Sequence, residues 1–325
     1  MNIKLEESTI VVERGIVSHL SDYFYSANKI MIISDTQVPN IYKTTVMSQF
    51  PNVYLYEIES GESSKNILNY QDILTELLNL KFSRKDTIIA LGGGVVCDLA
   101  GFVAATYKRG CEFVSIPTTT LAQIDASVGG KVGINFNNLK NSVGAFCFPK
   151  FVFIDIDTLI SLPKSHFYNG LVEALKAGML GDEKLYRLFL NNDFNSILQE
   201  IIERSILYKA MIVEKDPCER GVRKLLNYGH TIGHAIESVH EMNDYYHGEC
   251  VAAGILWMSK NKSFENEVKM ILDLMGIPKI NLFEKDIYIR YIENDKKTEG
   301  NKITVSIVDE IGKGYLKQID IEDLF

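Results

Sequence analysis

The stretch Thr87–Tyr107 constrains the fold more than any other part of the chain. It opens on an apolar run, Thr87-Ile88-Ile89-Ala90-Leu91, passes through Gly92-Gly93-Gly94, and ends in the helical pattern of Leu99–Tyr107. It is long and apolar enough to be weighed as a membrane span, but Asp98 and four glycines break it. It reads better as strand, glycine turn and helix. That arrangement can cradle a phosphate, because glycines let the backbone approach and a helix N-terminus offers free N–H groups and a positive field. The spacing is neither G-x-G-x-x-G nor a Walker loop, so tight packing is the competing use of the turn.

The same alternation surrounds it. Lys29–Ser34 is a buried-strand pattern closed by Asp35, which either holds ribose hydroxyls or caps a turn. Val53–Ile58 is a second strand, and the turn Ser60–Lys65 feeds a helix over 66–80. Phe113–Ile116 runs into Pro117-Thr118-Thr119-Thr120, whose hydroxyls suit a polar ligand or a helix cap. Gly129-Gly130-Lys131 sets an ammonium beside exposed amides, and Lys140-Asn141 follows. Phe151–Asp155 completes an α/β half. Such alternation predicts a helix-covered parallel sheet with its ligand at the carboxyl ends of the strands.

After about residue 160 the patterns turn helical. At 325 residues two domains are expected, an α/β domain over 1–159 and a mainly α-helical one over 160–325. In the second, Glu173 and Lys176 share a helix face, either as a surface ion pair or as a metal-ligand carboxylate beside a substrate lysine. A helix carrying Lys209 spans 196–216, and a β-like segment, Lys302–Val308, lies near the end. The stretch Asn227–Glu249 holds four of the six histidines, at 230, 234, 240 and 247. His230 and His234 are four apart and share a helix face, a chance pair or a start toward a metal site.

Charge excludes some partners. With 34 basic and 42 acidic residues the net charge is −8, which argues against a nucleic-acid binder and requires any anion site to be a local basic cluster. Five cysteines without a C-x-x-C pair fit reduced thiols. The opening MNIKLEESTI lacks an apolar signal core, so a cytoplasmic protein without a membrane partner is expected.

Four blocks, GGGVVCDLAGFVAATYKRG, IPTTTLAQIDASVGGKVGIN, LVEALKAG and RKLLNYGHTIGHAIE, resemble the 3-dehydroquinate synthase family of sugar-phosphate cyclases, in family order. The resemblance implies an NAD-binding α/β domain and a helical domain holding a divalent metal, zinc or cobalt. It implies Glu173, His230 and His247 as ligands, and His234 as a second active-site histidine instead of a ligand. NAD contacts would come from Asp35, Gly61, Glu62, Lys65, Gly93, Gly94, Val95, Asp98, Thr118, Thr119, Lys131, Lys140, Thr158 and Ser161. An anionic sugar phosphate would meet Asp125, Lys131, Asn141, Lys176, Lys209, Arg223, Asn227 and His234. Arg109 would reach a phosphate across a homodimer, with Lys296 or Lys297 acting likewise. Ser60, Cys97, Leu139 and a His234–His247 spacing one residue longer depart from the family pattern. Related cyclases, such as 2-deoxy-scyllo-inosose synthase, and metal-dependent alcohol dehydrogenases are the alternatives. Asn141, Asn227 and His234 match the dehydroquinate type.

Overall fold

The computed structural model describes residues 1–324 except 138, 192, 241–244, 281–284, 294–297, 300 and 301. The chain divides into two compact units, Met1–Pro163 and Lys164–Phe325.

The first unit is built on a sheet. Its elements are β1 (Asn2–Lys4), β2 (Thr9–Val12), β3 (Ile30–Asp35), α1 (Asn40–Met47), β4 (Val53–Ile58), α2 (Ile67–Asn79), β5 (Thr87–Gly92), α3 (Gly94–Thr106), β6 (Glu112–Pro117), β7 (Lys131–Phe136), β8 (Leu139–Phe146) and β9 (Phe151–Ile154). Among the described residues seven strands form one sheet in the order β1-β2-β9-β6-β5-β3-β4, parallel except for the β1–β2 pair. The apolar runs follow from burial on both faces. Along β3, Met31 and Ile33 join one core with α2 and α3, whereas Ile30 and Ile32 join the core on the opposite face. From β3 the chain crosses outward to β4, then returns to β5 on the other side. The strand order therefore reverses between β3 and β5, and a crevice opens at their carboxyl ends. The hairpin β7–β8 stands apart from the main sheet and packs on α3.

The second unit is mainly helical. It runs α4 (Lys164–Gly181), α5 (Glu183–Leu188), α6 (Phe194–Lys215), α7 (His230–Val239), α8 (His247–Met258), α9 (Glu265–Leu274) and α10 (Lys285–Glu293). A small antiparallel sheet of β10 (Thr298–Glu299), β11 (Lys302–Val308) and β12 (Gly314–Asp320) follows. In α4 every residue from Asn169 to Leu180 is buried, the mark of a helix wrapped by others on all sides. Helices α7 and α8 come close because their contact is lined by glycine. A Cβ added at Gly254 would lie 2.0 Å from the Gly229 carbonyl oxygen. Gly248, at the start of α8, lies equally close to α4, where a Cβ would stand 2.1 Å from the Asn169 carbonyl oxygen.

Among the described residues no helix is long and apolar enough to cross a membrane. None of the five cysteines is in a disulfide among the described residues. Since the Gly229 carbonyl cannot retreat without moving α7, Gly254→Ala is expected to destabilise the protein by about 1–3 kcal/mol, read as a lower urea midpoint.

Candidate functional site

The first unit gathers its polar candidates at the carboxyl ends of the parallel strands. Asp35 closes β3, and its Oδ1 accepts from the amides of Gln37 and Val38 at 2.8 and 3.2 Å, so it does cap a turn. Gly93 and Gly94 open α3, whose N-terminus faces the crevice beside β5. At Gly93 a Cβ would touch Thr119 Cγ2 at 3.0 Å, and Thr118 N donates to the Gly92 carbonyl at 2.9 Å. The end of β6 is thus stitched to the turn, with Val95 half-buried just beyond it.

The turn after β4 is fixed by charge. The buried Lys65 ammonium lies 2.9 Å from Glu62 and 3.2 Å from Asp98. Burial pushes Asp98 up to about 6 against the pull of Lys65. Asn135, which the sequence reading passed over, donates to Glu62 at 2.8 Å and accepts from the Asn141 amide at 2.9 Å. It ties the Gly61–Lys65 turn to the hairpin that carries Lys131, Lys140 and Asn141. Asn141 itself sits at φ 51, opposite the irregularity in β7.

Asp125 lies in a π-helical turn, Ala122–Ala126, a geometry that recurs at functional sites. Thr158 is buried, with its hydroxyl between the Asp155 carbonyl and Gln123, and Ser161 Oγ donates to the Thr158 carbonyl. Arg109 is exposed at φ 67, in a left-handed run with Lys108 and Gly110. Among the departures from the family pattern, Cys97 is buried against Ser115, its thiol pushed up to about 12 by burial.

The second unit brings together three of the residues singled out from sequence. Glu173 comes from the middle of α4, His230 opens α7 and His247 opens α8. Both imidazole Nε2 atoms stand 3.6 Å from Glu173 Oε1. Two ligands, each about 2.1 Å from a tetrahedral ion, are separated by about 3.4 Å, so this spacing fits a divalent metal. The donor chemistry fits as well. His230 Nδ1 lies 3.1 Å from the Tyr228 carbonyl and His247 Nδ1 lies 2.7 Å from Glu237. Oxygen acceptors at both Nδ1 positions put hydrogen there and leave the two Nε2 atoms, facing Glu173, as the nitrogens that an ion would take. Glu173 Oε2 is in ion-pair contact with Lys176, and Oε1 faces the two imidazoles without a close hydrogen bond. An ion would satisfy Oε1. His247 arrives here through Gly248, which abuts Asn169 one turn before Glu173 on α4.

His234, one turn after His230, keeps its ring 5.3 Å from His230 and 6.1 Å from His247. His234, Glu237 and His247 also form a second close group. Glu237 was missed from sequence. The signal that would have found it is its place seven residues after His230, on the same face of α7.

Three cations are buried in this unit, which is rare without a purpose, and one of them, Lys176, is in ion-pair contact with Glu173. Lys176, Lys209 and Arg223 are 3%, 7% and 3% exposed. They come from α4, α6 and the turn Val222–Asn227, which pack on one another. The ion pair Glu173–Lys176 is therefore interior, and the surface-pair alternative does not hold. Asn227 donates to Glu219 at 2.8 Å, and Glu219 has a left-handed φ of 55. Lys296 and Lys297 lie outside the described residues.

Residues 55–169 match the family model described as 3-dehydroquinate synthase N-terminal, and 170–298 match the C-terminal one. A 3-dehydroquinate synthase of Acetivibrio thermocellus is 42% identical over 318 residues, 91% of this chain and 88% of that protein. Two solved structures share the fold at 21% identity and a TM-score of 0.85. One is 2-deoxy-scyllo-inosose synthase complexed with carbaglucose-6-phosphate, NAD+ and Co2+, matched over 100% of this chain and 98% of that one. The other is 2-epi-5-epi-valiolone synthase from Streptomyces hygroscopicus with NAD+ and Zn2+ bound, over 99% and 96%. With the two family models matching residues 55–298 between them and a relative 42% identical over most of its length, the chain belongs to the 3-dehydroquinate synthase family.

Proposed function

We propose that this protein converts 3-deoxy-D-arabino-heptulosonate 7-phosphate to 3-dehydroquinate and inorganic phosphate, with a bound NAD and a divalent metal. The observation that carries the reading is Glu173, His230 and His247 converging beside the buried Lys176, in a unit that buries two further cations. When bound, NAD supplies a hydride acceptor that returns the hydride within the turnover, so the net reaction is a phosphate-releasing lyase step. The metal supplies a Lewis acid for the substrate hydroxyls.

The chain's own part is binding and electrostatics. Glu173, His230 and His247 hold the ion. Lys176, Lys209 and Arg223 answer the carboxylate and phosphate of the substrate with charges already stripped of water. Asn227, Asp125, Asn141 and Lys131 orient its hydroxyls, and His234 holds or moves a proton at its ring nitrogen. Asp35, the Gly61–Lys65 turn, Gly93–Asp98, Thr118, Thr119, Lys140 and the Thr158–Ser161 segment bind NAD. Arg109 and Lys297 extend the phosphate site in a homodimer.

The test is phosphate release from the heptulosonate phosphate with NAD+ and Zn2+ while absorbance is followed for NADH. Release that needs both additions, without NADH accumulating, is the expected result. Release from glucose 6-phosphate alone would move the protein to another cyclase, and accumulating NADH without phosphate would make it a dehydrogenase. Lys176→Met is expected to retain bound zinc by elemental analysis and lose at least about 100-fold in turnover, the order expected for a lost electrostatic contact.

Metal-free protein carries a pH signature of the same cluster. Burial pushes Glu173 up, but Lys176 and His247 outweigh it and hold the carboxyl down at about 2. Burial pushes His247 down, but Glu173 and Glu237 bring it up to about 10 from 6.5. A raised histidine stabilises the fold fully below pH 6.5 and loses that contribution as pH rises through about 10. Urea midpoints of chelator-treated protein should therefore fall from pH 6.5 to 10, and His247→Gln should flatten the fall.

A further inference from the structure

We propose that Glu237 is a positioning residue for the metal centre, a buried carboxylate that holds His247 with its Nε2 turned toward Glu173. The proposal rests on the metal reading above and deepens it. Glu237 is 8% exposed, and a carboxylate taken that far from water needs a partner that answers its charge. Its Oε1 lies 2.7 Å from His247 Nδ1. An ionised carboxylate only accepts, so the contact puts an imidazole hydrogen on Nδ1 and leaves Nε2, 3.6 Å from Glu173 Oε1, as the nitrogen that an ion would take.

The two histidines are held by different means. His230 is oriented by the Tyr228 carbonyl at 3.1 Å, main chain two residues before it, so its own turn aims the ring. His247 stands at the first position of α8, and its Nδ1 partner comes from another helix. Glu237 shares the face of α7 that carries His230, seven residues earlier. One helix face thus supplies a ligand and the clamp for the other imidazole ligand. A carboxylate also makes the ring a stronger donor than a carbonyl does. With the ion bound, Glu237 and Glu173 together balance its two charges, and Lys176 leaves the site net positive for an anionic substrate.

The experiment uses protein stripped by chelation, Zn2+ affinity from competition with a chromophoric chelator, and the visible spectrum of the Co2+ form. Glu237→Ala is expected to weaken Zn2+ binding about 10–100-fold and to alter the Co2+ bands. Glu237→Gln, which keeps an acceptor oxygen but no charge, should show a smaller loss and a shifted spectrum. His247→Ala is the reference for losing a ligand outright. Wild-type affinity and spectrum in Glu237→Ala, with His247→Ala weakened, would overturn the positioning role. Wild-type affinity in both would remove the metal assignment and the proposal with it. Circular dichroism of the metal-free variants reports folding, and if Glu237→Ala fails to fold, unchanged affinity and spectrum in Glu237→Gln would overturn the proposal.

Discussion

A carboxylate buried in the middle of a helix is the constraint on which the second unit depends. Glu173 sits in a stretch of α4 that is sealed along its whole length. Its charge cannot be left alone there, since an uncompensated buried ion is worth several kcal/mol of instability. Lys176, on the same face, is one answer, and the two imidazoles are the other. Each answer needs its own helix to come close. The glycines at 229, 248 and 254 are the means, because at each a methyl group would collide with neighbouring backbone. Packing and electrostatics are therefore one problem in this unit. The close approach of α8 exists where the charge needs it.

The first unit solves a different problem with ordinary parts. Parallel strands end together, and the reversal of strand order between β3 and β5 leaves a crevice whatever the side chains are. Sequence then decorates the rim. A buried lysine between two carboxylates freezes the turn after β4, and Asn135 links that turn to the hairpin β7–β8. The turn after β4, α3 and the hairpin, distant in sequence, thus share one polar network.

Much of this was readable before the structure. The strands β3, β5, β6 and β9 were legible because burial on both faces writes an unbroken apolar run. The helices after residue 160 were legible from their period. The hairpin β7–β8 was not, because it lies off the main sheet and exposes Phe136, Leu139 and Phe146, so no face alternates cleanly. The strand β12 was hidden for a similar reason, none of its residues being buried. At the site, residue types with few structural uses stood out: clustered histidines, Gly-Gly-Lys, a lysine three after a glutamate. Glu237 and Asn135 did not, because a glutamate on an amphipathic helix or an asparagine in a strand is unremarkable until the fold shows what it touches.

Gly248 has a last consequence. It fastens the start of α8 to α4 at Asn169, while Glu237 grips the imidazole of the preceding residue from α7. The place of His247 is therefore dictated from its two flanks by parts of the fold already in position. The chain that links α7 to α8 has only to arrive. A change of one residue in the length of that link would leave the place of His247 as it is.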